Sequence, residues 1–223
     1  MPRLGTLASI CAIALLAALP AVAQSKPKIP KTIYRDSNGN LISNNEFVDL
    51  RIANPREKKD PATKKILDDG TIEFRLDPVP QEGTLAPIFD TATIDGKPLK
   101  AADLRGKVLV LNLWFIGCPG CLSEIPKLNA LAAKYQNESD VVFVAVAPDP
   151  PEKLKGFLTH VRFDYQMVGN GQPVINLFSF AGFPKNIVIG RDGKITYWRS
   201  LVFAWEKFEA VINTELAKSN IAD

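Results

Sequence analysis

Apolar residues fill positions 108–116 almost without a break, V-L-V-L-N-L-W-F-I, and Asn112 is the one polar interruption. A run of that kind is a strand buried on both faces. It stops at Gly117. After Cys118-Pro119-Gly120-Cys121 the apolar positions resume at Leu122, Ile125, Leu128, Leu131 and Ala132, the spacing of one helix face that ends near Tyr135. A second buried run, V-V-F-V-A-V-A, follows at 141–147. Two such runs joined by one helix form a right-handed β-α-β unit with parallel, adjacent strands. Residues 150–160 then read as a helix with Leu154, Phe157 and Leu158 on one side, and 163–168 as a short strand. A strand follows Pro184, Arg191-Asp192-Gly193-Lys194 makes a tight hairpin into 195–199, and a closing helix at 205–216 turns Phe208, Val211, Ile212 and Leu216 inward.

The pattern is weaker before residue 83. Residues 24–31 have the composition of a Pro/Lys-rich linker, and Asp36-Ser37-Asn38-Gly39-Asn40 is a turn signal between short apolar pieces. Residues 51–69 are mostly charged and read as a solvated helix or mobile linker. A short strand is expected at 71–76. The whole of 24–83 is taken as a linker and small N-terminal appendage, with no chemistry assigned.

The cysteine pair changes the picture from fold to reactivity. The first amides of a helix have no intrahelical partner and the macrodipole is positive there, so a thiolate on Cys118 is favoured over the thiol. Pro119 fits the first turn because its missing N–H would be an orphan. Cys121 lies three residues on, on the same face, within reach of a disulfide. Cys118 is therefore expected to be the accessible attacking thiolate and Cys121 the more buried resolving thiol. A zinc site needs about four ligands. The chain has three cysteines, one of them in the leader described next, and a single histidine, His160, which reads as a helix-terminal or surface residue. A purely structural disulfide is disfavoured because such bridges join distant segments, whereas reactive pairs occupy strand-to-helix junctions.

Residues 1–23 place Arg3 before an apolar run and close on Ala21-Val22-Ala23, the pattern of a secretory signal peptide cleaved before Gln24; an uncleaved membrane anchor is the competing reading. Cys11 falls inside it. Export puts the pair in an oxidising compartment. The formal net charge of +3 and the lack of a basic stripe interleaved with aromatics argue against nucleic acid.

The segment G-K-V-L-V-L-N-L-W-F-I-G-C-P-G-C-L-S-E-I-P at 106–126 resembles the active-site region of the TlpA-like and ResA-like thiol-disulfide oxidoreductases of the thioredoxin superfamily. Gly106, Lys107, Asn112, Trp114, Cys118, Cys121, Glu124 and Pro126 match that pattern, and Gly117 replaces the Trp usual before the first cysteine. G-T-L-A-P-I-F at 83–89 is similar to the family's domain opening. The resemblance implies an α/β thioredoxin fold over 84–220, a central mixed sheet flanked by helices, with an N-terminal β extension and a β/α insert between its halves. It implies that Pro184 is cis and packs against the cysteines, that Phe183 offers backbone to an extended client, and that Trp114, Pro119 and Gly120 complete the client-binding surface. It also places Glu124 at the acidic position linked to thiol reactivity. Asn112 takes the place of thioredoxin's buried acid, so Glu124 is the candidate to move the proton. The implied activity is that of an exported protein-disulfide oxidoreductase, periplasmic or otherwise outside the cytoplasm, reducing disulfides of envelope proteins and recharged by a membrane electron donor. No cofactor and no metal is called for, and a monomer is expected.

Four alternatives remain open from sequence. An oxidant or isomerase would use the same pair in the other direction. A thiol peroxidase would want Pro and Thr or Ser where Leu111 and Phe115 stand. A copper metallochaperone would want a well-placed histidine. A binding module would carry the pair as an idle disulfide.

Overall fold

The computed structural model describes residues 29–53, 62–180 and 182–218, so the leader and Cys11 lie outside the described residues. The turn expected at 36–40 joins β1 (Thr32–Arg35) to β2 (Leu41–Ile42). Asp36 Oδ1 accepts the amides of Asn38 and Asn40 at 2.9 and 2.8 Å, and Gly39 takes the φ of +89° that a side chain would resist. Ser43 then accepts the Glu46 amide at 3.1 Å at the start of α1 (Asn44–Ala53). With β3 (Ala62–Ile66) and β4 (Ile72–Leu76) these strands form a sheet in the order β2-β1-β4-β3. Tyr34, Phe47 and Phe74 pack between sheet and helix, with ring centroids 4.4 to 6.0 Å apart. Of the expected solvated helix or mobile linker at 51–69, residues 51–53 end α1 and 62–66 form the strand β3, which corrects that part; 54–61 lie outside the described residues.

Two short strands, β5 (Thr91–Ala92) and β6 (Pro98–Leu99), and a single helical turn, α2 (Ala101–Leu104), lead into β7 (Val108–Leu113). The chain continues through α3 (Pro119–Lys134), β8 (Val141–Val146), α4 (Pro151–Leu158), β9 (Gln166–Val168), α5 (Gln172–Leu177), β10 (Lys185–Ile189), β11 (Ile195–Arg199) and α6 (Trp205–Leu216). The main sheet has the order β11-β10-β7-β8-β9. β7, β8 and β9 are parallel, as the β-α-β reading requires, and β10 runs antiparallel to both β7 and β11.

Every residue of β7 is buried, and alternate side chains enter opposite layers. Val108 and Val110 join Ile125, Leu128, Phe208 and Ile212 beneath α3 and α6. Leu109, Leu111 and Leu113 join Ile187, Val174 and Phe178 on the other face. Burying each such side chain contributes about 1.5–3 kcal/mol, so the central strand is firmly fixed, and with it the position at which the chain leaves it for Cys118. Both margins of the sheet are engaged. Beside β11, Gly83 N–H donates to Ile195 O at 2.8 Å, Ile195 N–H to Thr84 O at 2.9 Å and Ala86 N–H to Gly193 O at 2.9 Å; beside β9, Ile94 N–H donates to Met167 O at 2.8 Å. Among the described residues no helix is long and apolar enough to cross a membrane.

Candidate active site

Cys118 is the N-cap of α3, in extended backbone, with Pro119 at the first helical position. Its sulfur accepts the Cys121 amide at 3.1 Å. A sulfur in that place takes the role of a capping oxygen, and a negative charge on it is stabilised by the orphan amides and the dipole of a 16-residue helix. Cys118 and Cys121 are joined as a disulfide, with Cα atoms 5.2 Å apart. Both are buried in this form, Cys118 4% and Cys121 2% exposed. The contrast in accessibility expected between them is thus nearly absent when the two sulfurs are bonded, because the bond holds the Cys118 side chain against the helix start.

The Phe183–Pro184 peptide is cis. A Cβ built on Gly120 would lie 3.5 Å from Pro184 Cδ and 3.2 Å from Leu201 Cδ2, so the C-P-G-C turn is packed between the proline and the loop after β11. Phe183 stacks edge-on against Phe115 and Phe180, centroids 5.3 Å from each. Phe115 also fills the space before the first cysteine: a Cβ on Gly117 would come within 3.2 Å of its ring. Gly117 stands where the resembled family carries a tryptophan, and the Phe115 ring lies against it.

Trp114 does not reach the surface. It is fully buried, with Phe157 and Phe163 at 5.4 and 5.3 Å, and belongs to the core beneath α4. This corrects its expected part in client contact: it follows β7 directly on the face covered by α4, and its indole is consumed by packing. His160 is exposed after α4, its Nδ1 2.8 Å from Thr159 Oγ1.

Glu124 is buried on α3, 4% exposed. Its Oε1 accepts the Val202 amide at 2.6 Å and its Oε2 the Asn186 side-chain amide at 3.0 Å. Asn186 accepts in turn from Asn112 at 2.8 Å and donates to Ser200 O at 2.9 Å. Burial pushes the Glu124 carboxyl up to about 7, against the bonds from Asn186 and Val202 and with help from the facing charge of Asp49. Cys121 and Glu124 are three apart on one helix, so they share a face. The carboxyl is therefore a group able to change protonation near neutral pH, one helical turn beyond Cys121.

Asn186 is a residue that the sequence reading left without a role, and its signal was a polar side chain within a buried strand, as Asn112 is in β7. Lys185 is also buried, pointing at the rings of Trp198 and Phe180 and donating to Ser200 Oγ at 2.9 Å; burial lowers it to about 8.

The chain is similar to known proteins in sequence and in fold. The sequence profile of the AhpC/TSA family covers residues 83–198, just over half of the chain. The chain belongs to the AhpC/TSA family. Within it, a thiol-disulfide oxidoreductase ResA of Bacillus cereus is 32% identical over 117 residues, 52% of this chain and 67% of that protein. ResA of Bacillus thuringiensis (strain Al Hakam) is 28% identical over 116 residues, with the same coverage. The crystal structure of a thiol:disulfide interchange protein of the thioredoxin family from Chlorobium tepidum TLS superposes with a TM-score of 0.54 at 25% identity, covering 60% of this chain and 97% of that one. This AhpC/TSA member thus has a thioredoxin fold and is a protein-disulfide oxidoreductase of the ResA-like kind.

Proposed function

We propose that this oxidoreductase works outside the cytoplasm as a reductant of disulfides in envelope proteins, through Cys118 and Cys121. The observation that carries the reading is the placing of the cysteine pair: Cys118 caps α3, its sulfur on the Cys121 amide, with the cis Phe183–Pro184 peptide packed on the turn between the two. In the reduced protein the Cys118 thiolate attacks one sulfur of the client disulfide, forming a mixed disulfide and expelling the other client sulfur as a thiolate. Cys121 then gives its proton to the Glu124 carboxylate and attacks the Cys118 sulfur, releasing the second client thiolate. Two electrons pass to the client and the Cys118–Cys121 disulfide is left behind. A membrane donor returns two electrons. The client strand lies along Phe183, with Pro119 and Gly120 beneath it. The leader pattern of residues 1–23 is what supports export.

Leu111 is enclosed in β7 and Phe115 is stacked on Phe183, where a thiol peroxidase would need its proline and hydroxyl, which favours disulfide exchange over peroxide chemistry. The deciding measurement is the reduction potential of the Cys118–Cys121 pair, equilibrated against dithiothreitol and read by thiol trapping. A value of about −270 mV or lower is expected, and one near about −120 mV would make the protein a disulfide donor instead. Cys121→Ser is expected to accumulate clients as mixed disulfides on Cys118, which non-reducing gels would display; Cys118→Ser should accumulate none.

A further inference from the structure

Two buried carboxylates, one from each half of the chain, divide a single stretch of backbone between them. Glu124 accepts the Val202 amide, and Asp49 of α1 accepts the next two, Phe203 on Oδ1 at 2.8 Å and Ala204 on Oδ2 at 2.9 Å. Asp49 is 1% exposed. From the same helix Ile52 O accepts the Ser200 hydroxyl at 3.4 Å, so α1 grips the 200–204 loop at both ends. That loop also carries Leu201, which packs on Gly120 between the cysteines. The redox turn, Glu124 and the N-terminal extension therefore rest on one loop. Burying a carboxylate is expensive unless it is paired, and packing alone would be served by a neutral side chain.

We propose that Asp49 is a positioning residue for thiol-disulfide exchange, acting through the backbone of residues 202–204 that it shares with Glu124. This rests on the reading of Cys118 and Cys121 as the exchanging pair with Glu124 as their proton partner. Asp49 acts in two ways. It fixes the loop, so that the Val202 amide stays on Glu124. Its negative charge faces Glu124 and favours the protonated carboxyl. The other groups around the two acids are Lys127 on α3, which favours ionised Glu124, Arg199 on β11, which favours ionised Asp49, and Glu206 on α6, which opposes it. Tyr165 and Tyr197 are held neutral by burial, Lys207 pairs with Glu46 across α6 and α1 at 3.2 Å, and Lys185 is turned to Ser200. Asp49 is the acid that binds the loop shared with Glu124, so removing its charge lets Glu124 ionise at lower pH.

The test is the rate at which dithiothreitol reduces the Cys118–Cys121 disulfide as a function of pH, corrected for the reagent's own thiolate, in the wild type, Asp49→Asn, Glu124→Gln and the double variant. The wild type should inflect near pH 7, where the Glu124 carboxyl titrates. Asp49→Asn, which retains an oxygen to accept from the loop, should move that inflection down by about half a pH unit or more; an upward shift, as loss of the Val202 amide from Glu124 would give, refutes the charge effect. Glu124→Gln should abolish it, and adding Asp49→Asn should then change nothing in the profile. If Glu124→Gln abolishes the inflection while Asp49→Asn leaves it within about 0.2 unit of the wild type, the role of Asp49 is refuted and the proton-partner reading stands. If Glu124→Gln keeps the wild-type inflection, the proton-partner reading fails and takes this inference with it. Should Asp49→Asn not fold, carbon NMR of the unmodified protein decides: the Asp49 carboxyl must show a second step at the Glu124 inflection, and a single step refutes the coupling.

Discussion

Glu124 keeps its proton up to about pH 7 in the folded chain, where a free glutamate lets go near 4.5, since burial outweighs two hydrogen bonds. A raised carboxyl contributes stability in full below its unfolded value and loses it as pH rises through the folded one. Unfolding free energy should therefore decline by roughly 3 kcal/mol between pH 4.5 and 7 on account of this residue. Urea melts across that range would show the decline, and Glu124→Gln should flatten it; an equal slope in the variant would mean that another group is responsible. At this scale Cys118, Pro119 and Cys121 were readable from sequence because they are local signals, whereas the cis proline before β10 came only through the family resemblance. Asp49 was not readable. Its partners, Phe203 and Ala204, are 154 and 155 residues away, and nothing in the neighbourhood of a lone aspartate on a weakly amphipathic helix announces them.

Among the elements, β11 depends most on what the N-terminal extension brings to it. Glu82 accepts the Trp198 amide at 3.0 Å and pairs with Arg199, a cation 4% exposed that also donates to Trp198 O and lies over the Tyr197 ring. Removing one partner of a buried pair strands the other charge. Glu82→Ala should cost about 3 kcal/mol in a denaturant melt, and a loss under about 1 kcal/mol would mean that Arg199 finds water or another acceptor. Strands buried on both faces, such as β7 and β8, were legible as apolar runs. β3 was not, for a physical reason: it is the margin of its sheet, largely exposed, and carries Lys64 and Lys65. Lysines on an edge strand discourage further pairing, and the same lysines make the strand read as a solvated segment.

For the whole molecule, the family resemblance covers 83–198, yet the loop at 200–204, α6 and α1 lie outside that span. A chain begun at Gly83 would keep the cysteines and the cis proline but lose Asp49, Ile52 and Glu82 from their places against β11 and the loop. Its thermal midpoint should fall by roughly 5 °C or more; an unchanged midpoint would show that the extension is dispensable for the fold. The extension's contacts with β11 and the loop were invisible in sequence because they close over long separations.

The engaged margins of the main sheet have a consequence for coexistence with other proteins. An exposed strand edge is a template on which any extended chain, including a second copy of the same protein, can polymerise. Here the 83–86 segment pairs with Gly193–Ile195 at the start of β11 and Ile94 is bonded beside β9, so sideways growth is hindered at each end of the sheet. Each margin is thus partly covered, which leaves fewer places where a stray strand could add to the sheet whose central strand leads to the cysteines.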